Sequence, residues 1–437
     1  MKSNLLLLAG VLGLVIGSAD IGTTSAAEKP STDALTLEQY FAAAMRRSEV
    51  VATQTELIHQ AEEHYSQSSG SLLPTVSGVA SYTWQDPIPA GELATSNSPN
   101  RQHLAKITAT QPLFRGFREF AGVRQSKALL GAQNEDYQNA RVQLFKDVAQ
   151  NFYNVLTIEQ DLKNLDDQIK QNLTREKELN DRVRIGRSRI GEVLSVQTAI
   201  STLRAQIEQL QGQLKTAREV LAFLSGLDAA TPLRDSDEPG AVLEPLESYL
   251  AQVDMRPDVK ASRARTTAAQ ENVSVTRGAH LPSLDLNANR YLERTGSLQD
   301  STWDVQLVLS IPIYSGGVFQ SRVREADSQR TQAELGASQI RRQAEQEIRS
   351  VYQSVGFDRA QLSALETATD AARKNYEAQL RDYRLGLVTN LDVLQALTTY
   401  QENLRALDRA RYATKLDYIR LQAAAMRRPA PQEGNTP

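Results

Sequence analysis

The chain is written twice, and that constrains its fold more than any other feature. Gln111-Pro112-Leu113-Phe114-Arg115-Gly116 reads against Ile311-Pro312-Ile313-Tyr314-Ser315-Gly316 at an offset of 200, which is 312 minus 112. The same offset sets Phe152 on Tyr352, Arg184-Ile185-Gly186 on Arg384-Leu385-Gly386, Glu192-Val193-Leu194 on Asp392-Val393-Leu394, and Leu221 on Leu421. Upstream the match continues at a slightly different offset, with Leu37-Glu38-Gln39-Tyr40 parallel to Leu246-Glu247-Ser248-Tyr249 and Leu73-Pro74 parallel to Leu281-Pro282. A register held without gaps from Pro112 to Leu221 is a repeated structural unit.

Each copy predicts a long helical hairpin. No proline lies between Pro112 and Pro232 or between Pro312 and Pro429, and proline is the residue a helix interior tolerates least. Leu203, Ile207, Leu210, Leu214, Ala217, Leu221 and Leu224 step 4-3-4-3-4-3, a heptad seam. Val148, Phe152, Val155, Leu162, Leu165 and Ile169 make a similar stripe before it. Each tract is interrupted once, at Arg184 to Gly191 and at Arg384 to Asn390, where glycine can take the left-handed conformation that ends a helix. The arm from Phe117 to Arg184 would be roughly 100 Å long at about 1.5 Å per residue.

Ahead of each long hairpin stands a pair of alternating segments. Trp303, Val305, Leu307, Leu309 and Ile311 interleave with Asp304, Gln306, Val308 and Ser310. Val76, Gly78, Ala80, Tyr82 and Trp84 interleave with Thr75, Ser77, Val79, Ser81 and Thr83, and Leu284, Leu286, Ala288 and Leu292 with Asp285, Asn287 and Asn289. His103 to Gln111 alternates weakly. Period two means strands with one apolar and one polar face, each about 10 residues, enough to cross a bilayer when tilted. Trp84 and Trp303 fall among the apolar positions beside polar loops at 86–101 and 294–301, where a lipid-facing aromatic belt would lie. A soluble sheet with one wet face is the alternative, and Arg290 on the apolar face favours it. Against it, four strands with a polar inner face have no core to pack on. They also cannot close a barrel alone, because their edges would stay unpaired, so copies of the chain must close it.

The remaining features exclude more than they assign. Net charge is -3, which offers no basic surface to nucleic acid. There are no cysteines, so disulfides, thiolate metal sites and a cysteine nucleophile are ruled out. His59, His64, His103 and His280 are scattered without metal-ligand spacing. Aromatics are 6% of the chain, too few for the compact core a secreted hydrolase needs. No phosphate-binding glycine loop, Ser/His/Asp arrangement or paired carboxylates are present, so no enzyme and no cofactor is expected. Lys2 followed by the apolar run Leu5 to Ile16 and the small residues Ser25-Ala26-Ala27 predicts a cleaved secretory signal. A periplasmic adaptor also carries a long helical hairpin, but one hairpin flanked by compact β domains, not two hairpins each preceded by strands.

These residues resemble the TolC family of outer-membrane efflux and secretion channels over essentially the whole mature chain. The markers are the junctions around Pro112 and Gly116 and around Pro312 and Gly316, the repeated tips 184–194 and 384–394, and Met255-Arg256-Pro257-Asp258-Val259. In the first copy Arg47-Ser48-Glu49-Val50 lacks the proline of that last motif. The resemblance implies an α+β membrane protein: a homotrimer whose twelve-stranded β-barrel, four strands per chain, continues into a long periplasmic α-helical barrel. It implies outer-membrane lipid, a periplasmic adaptor (membrane fusion) protein and an inner-membrane pump as partners, and small toxic molecules or secreted polypeptides as cargo. The expected organisation is a signal peptide at 1–27, a first helix region at 28–74, strand pairs at 75–113 and 283–314, and hairpins at 114–226 and 315–426. An equatorial connection would occupy 227–245, a second-repeat helix 246–282 and a disordered tail 427–437.

Site residues carried over from the resemblance lie at the tips. Gly186, Gly191 and Gly386 are expected at the adaptor-docking ends. A closed-state gate is expected to link Tyr383 to Glu192, with Asp392 retained as a constriction acid and Gln395 standing where the family has another. Val388 occupies the position of the family's gate arginine, so Arg384 is the nearest replacement. Glu192 and Asp392 also suit the first turn of a helix, where acids complement the dipole.

Overall fold

The computed structural model describes residues 34–84, 101–236, 243–295 and 300–427. The expected signal segment, most of the first strand-connecting loop, half of the second and nearly all of the expected tail lie outside them. Within each repeat a short helix, a medium helix, two strands and two long helices follow in order. The first repeat has α1 (Leu37–Arg47), α2 (Glu49–Gly70), β1 (Thr75–Trp84), β2 (Arg101–Arg115), α3 (Arg118–Arg184) and α4 (Ile190–Ser225). The second has α5 (Leu246–Leu250), a single 3-10 turn at Val253–Met255, α6 (Pro257–Gly278), β3 (Ser283–Arg294), β4 (Trp303–Ser310), α7 (Val318–Leu385) and α8 (Asn390–Ala424). With 67 residues, α3 is roughly 100 Å long at about 1.5 Å per residue. Among the described residues no helix is long and apolar enough to cross a membrane.

The helix starts show why the broken motif of the first copy still works. Pro257 opens α6, where its missing N–H is one no helix would use. The buried Arg256 before it grips Asp258 at 2.7 Å and Glu347 at 2.8 Å. In the first copy Ser48 takes over as N-cap, accepting from the Val51 backbone at 3.3 Å, and Arg47 pairs with Glu49 at 2.5 Å.

The duplication is visible in the cores. Tyr40 and Phe152 meet edge to face at 5.6 Å between ring centroids, and their counterparts Tyr249 and Tyr352 meet at 5.8 Å. Phe41 and Phe145 add an edge-to-face contact at 5.2 Å, so α1 is held on the middle of α3 by rings that are themselves buried. Leu221 and Leu421 return on α4 and α8 to close the two clusters. The connection between repeats is tied to the first by a parallel bridge, with Leu35 donating to Pro232 and accepting from Arg234.

The strands form one antiparallel sheet in the order β1-β2-β3-β4, so among the described residues the outer edges of β1 and β4 are unpaired. Cross-strand register separates two faces. Leu284 lies opposite Leu309, Leu286 opposite Leu307, and Ala288 opposite Val305; the β4 members of these pairs are exposed and the β3 members half-buried. The other face is hydrogen-bonded. Thr108 and Lys106 both donate to the Asn289 oxygen, Asn289 and Tyr291 donate to Asp304, and Thr110 donates to Asn287. The β2–β3 register shifts twice, at Ala105/Lys106 and at Pro112/Phe114, and β2 runs through Pro112 to Arg115 instead of ending at Gln111. Pro112 sits at a register shift against β3, where no ladder N–H is required of it.

The two strand-to-helix junctions share a left-handed turn but differ in crowding. Gly116 (φ 69°) and Gly316 (φ 62°) both occupy conformations that favour glycine. A Cβ at Gly116 would stand 2.2 Å from the carbonyl oxygen of Gly278, whereas one at Gly316 would meet open space. The following residue is also left-handed in both copies, as Phe117 (φ 61°) and Gly317 (φ 82°). Phe117 packs edge to face on Phe114 at 5.1 Å.

Candidate functional site at the hairpin tips

Both hairpins reverse through the same backbone device. At the first tip the Gly186 N–H donates to Val183 and the Arg187 N–H to Arg182; at the second, Gly386 donates to Tyr383 and Leu387 to Asp382. This is the Schellman pattern, and it requires a left-handed residue at Gly186 (φ 71°) and Gly386 (φ 76°). Gly191, one residue into α4, is exposed, and a Cβ there would meet nothing.

The return helices start differently, and the difference decides which acid is available. At the second tip Thr389 caps α8. Its hydroxyl accepts from the Asp392 backbone, and Asp392 accepts from the Thr389 N–H at 2.8 Å and hydroxyl at 2.6 Å. These bonds, the hydroxyl's first, hold the Asp392 carboxyl below its usual range. At the first tip the equivalent position is Arg189, which offers no capping bond. Glu192 is therefore free of that box. It accepts from Ser188 Oγ at 2.7 Å and from the Tyr383 hydroxyl at 3.3 Å, across the two hairpins.

Tyr383 is buried, and the cations on its ring come from the first repeat. The Arg175 guanidinium carbon stands 3.9 Å from the ring centroid and that of Arg182 4.7 Å. Arg384, expected as the replacement for the gate arginine, is exposed at the end of α7 and does not take that place. It follows Tyr383 directly in the helix, so its side chain leaves in another direction. Gln395 is exposed on α8, and Asp392 is engaged by its own cap. The tip thus brings together Tyr383, Glu192, Arg175 and Arg182, and leaves Arg384 and Gln395 outside that contact.

Arg175 and Arg182 are the residues sequence reasoning missed, and Arg175 is the buried one. It is 6% exposed, donates from Nε to Asn390 at 2.9 Å and from Nη1 to Glu178 at 3.2 Å, and its Nη2 makes no hydrogen bond. It ends a buried polar stripe on α3 that includes Asp161, Asn164, Gln168 and Asn172. Asp161 meets Arg409 and Arg405, Asn164 meets Asp408, and neighbouring Gln171 meets Gln401. Tyr383 and Glu192, with Arg182, Arg187, Arg189, Thr389 and Asn390, line an open cleft of about 630 Å³. Among the described residues no group of histidines and carboxylates could hold a metal.

Comparison with known proteins places this architecture. Residues 42–227 and 252–425 match the family described as Outer membrane efflux protein. The chain is 24% identical over 384 residues to Outer membrane protein TolC of Escherichia coli (strain K12), covering 83% of this chain and 76% of that one. It is 26% identical over 307 residues to Outer membrane efflux protein BepC of Brucella suis biovar 1 (strain 1330), covering 66% and 64%. The crystal structure of the outer membrane protein VceC from Vibrio cholerae superposes with a TM-score of 0.78 at 19% identity, over 89% of this chain and 95% of that one. With most of both repeats inside the family match and the fold shared over 89% of the chain, the chain belongs to the outer membrane efflux protein family, channel proteins of the outer membrane with an α+β fold.

Proposed function

We propose that the protein is the exit duct of a tripartite efflux pump, a homotrimer that carries small toxic molecules passively from the periplasm across the outer membrane. One observation carries this reading. An open four-stranded sheet with two unpaired edges and a largely exposed apolar face is joined directly to two hairpins roughly 100 Å long. The free edges demand closure by other copies, since lipid offers no backbone partners. Three copies make a twelve-stranded barrel lined by the polar face around Asn289 and Asp304. The hairpins then extend the same wall through the periplasm. Energy comes from an inner-membrane pump, and catalysis and cofactors have no place in the duct. Native mass spectrometry of the detergent-purified protein is expected to show a species at three times the mature mass. A stable monomer in mild detergent overturns the proposal.

The tips are the end that meets the periplasmic adaptor, and the Tyr383–Glu192 contact is part of what holds that end closed. Gly186 and Gly386 have open space beside them, so a larger residue there changes the docking surface more than the packing. Its left-handed conformation costs roughly 1–2 kcal/mol per chain. Gly186→Glu and Gly386→Glu are expected to abolish export, measured as loss of drug tolerance in a strain lacking its own duct, with trimer yield close to the parent's. Full tolerance in both variants rules out docking at these turns.

A further inference from the structure

Arg290 is the residue that a membrane wall does not explain: an exposed arginine on the apolar face of the sheet. Its surroundings recur. The chain has two tryptophans; Trp84 is the last residue of β1 and Trp303 the first of β4. Each ends its strand beside a connecting loop, at the end of the sheet remote from the long helices. Each also has an arginine directly opposite on the neighbouring strand, Arg101 across from Trp84 and Arg290 across from Trp303. The Arg101 guanidinium carbon lies 5.5 Å from the centre of the Trp84 ring. Arg290 donates only a long 3.5 Å bond to the Thr302 carbonyl. Neither arginine forms an ion pair among the described residues, and Glu293, set opposite Ala105 above a register shift, pairs with neither.

An arginine on a lipid-facing surface is costly unless its charge reaches the interface and finds an anion there. Tryptophan marks that interface, and a guanidinium fork matches phosphate oxygens two at a time. Trp84 and Trp303 are 74% and 64% exposed, and Val305 below them is 56% exposed. A free phosphate would leave those side chains in water, whereas a lipid covers them. Because the opposite end of the sheet runs into the periplasmic helices, this end faces the outer leaflet.

We propose that Arg101 and Arg290, each set beside a tryptophan at the outer end of a strand hairpin, bind the phosphate groups of lipid headgroups in the outer leaflet, one site per hairpin. The inference rests on the reading of the sheet as a barrel wall. It is tested on the purified, detergent-solubilised full-length protein by native mass spectrometry with added diphosphorylated glucosamine lipid (lipid A) or its dephosphorylated form. The parent is expected to retain the phosphorylated lipid and not the dephosphorylated one. The double variant R101Q/R290Q is expected to retain about tenfold less, the equivalent of about 1.4 kcal/mol, and R101K/R290K to recover part of it. Equal retention by the parent and R101Q/R290Q overturns the proposal, as does equal retention of both lipids by the parent. Displacement of the lipid by millimolar inorganic phosphate overturns the choice of a lipid over a free anion. Planar-bilayer conductance of the same preparations separates the two levels of failure. A tip-opened Tyr383→Ala protein that still forms no pore overturns the barrel reading, whereas a conducting R101Q/R290Q in that background with undiminished lipid overturns only the headgroup site.

Discussion

Gly116→Ala is expected to abolish accumulation of assembled protein in the outer membrane, while Gly316→Ala, its counterpart in the second repeat, is expected to leave it within a factor of about two. Both positions are left-handed (φ 69° and 62°), so both variants carry the roughly 1–2 kcal/mol that a Cβ costs there. Only Gly116 carries a second cost. Its added Cβ would lie 2.2 Å from the Gly278 carbonyl oxygen and 3.0 Å from Leu281 Cβ. The obstructing atom is backbone at the end of α6, and cannot rotate away. Gly278 is reciprocally tight, since a Cβ there would stand 2.6 Å from the Gly116 carbonyl oxygen, so the turn and the end of α6 close on each other glycine to glycine. Overpacking of this kind adds about 1–3 kcal/mol or more, giving a total of roughly 2–5 kcal/mol in every subunit. That is a large share of a typical folding stability of about 5–15 kcal/mol. The check is the yield and thermal midpoint of the oligomer extracted from membranes. Equal losses at both sites would show that backbone conformation, not the contact with Gly278, sets the cost.

The parts of the fold that repeat a simple rule were legible in the sequence. β1, β3 and β4 announce themselves because a sheet between water and lipid needs one apolar face, so Leu284, Leu286, Leu307 and Leu309 must alternate. β2 is faint because its apolar face is made partly of Ala105 and Ala109, opposite Ala80 and Ala288, and alanine contrasts weakly with its neighbours. Its continuation through Pro112 was hidden for a different reason. Proline ends a regular ladder, and only the register shift at Pro112 and Phe114 lets the strand carry it. The glycine turns were readable because Gly186 and Gly386 hold a conformation few other residues accept.

The tip contacts were only half legible. Tyr383 and Glu192 could be named, but their cations could not, because Arg175 is 215 positions from its partner Asn390 and reads in sequence as one more charge on a polar helix. Its signal was present in the spacing Asp161, Asn164, Gln168, Asn172, Arg175, a 3-4-4-3 stripe. A polar stripe at heptad spacing passes for a solvated face until another helix is seen covering it. The roles of the two acids turn on one substitution between the repeats. Thr389 makes a capping box that engages Asp392, whereas Arg189 cannot make one and leaves Glu192 free to reach Tyr383.

At the tips, Tyr383→Ala is expected to open the channel most, Tyr383→Phe and Glu192→Gln less and about equally, and Arg384→Gln not at all, in planar-bilayer conductance of otherwise intact trimers. Tyr383→Phe removes only the 3.3 Å bond to Glu192. A hydrogen bond to a charged acceptor is worth about 1.5–3 kcal/mol, and its length puts this one near the lower figure. That is roughly tenfold in each subunit's closed-to-open ratio. Glu192→Gln keeps an acceptor but loses the charge, and Ser188 remains able to bond it, so its effect should not exceed that of Tyr383→Phe. Tyr383→Ala also removes the ring under Arg175 and Arg182, at 3.9 and 4.7 Å. Each such contact contributes about 0.5–2 kcal/mol, and the buried Arg175 loses the aromatic face that its unpaired Nη2 leaves it dependent on. Arg384, exposed and off the ring, is the internal control: an open channel in Arg384→Gln would return the gate cation to the second tip. If Tyr383→Phe and Glu192→Gln both conduct like the parent while Tyr383→Ala opens, the aromatic–arginine stack holds the tips and the hydrogen bond does not. If all three conduct like the parent, the contact between Tyr383 and the first hairpin is not the lock.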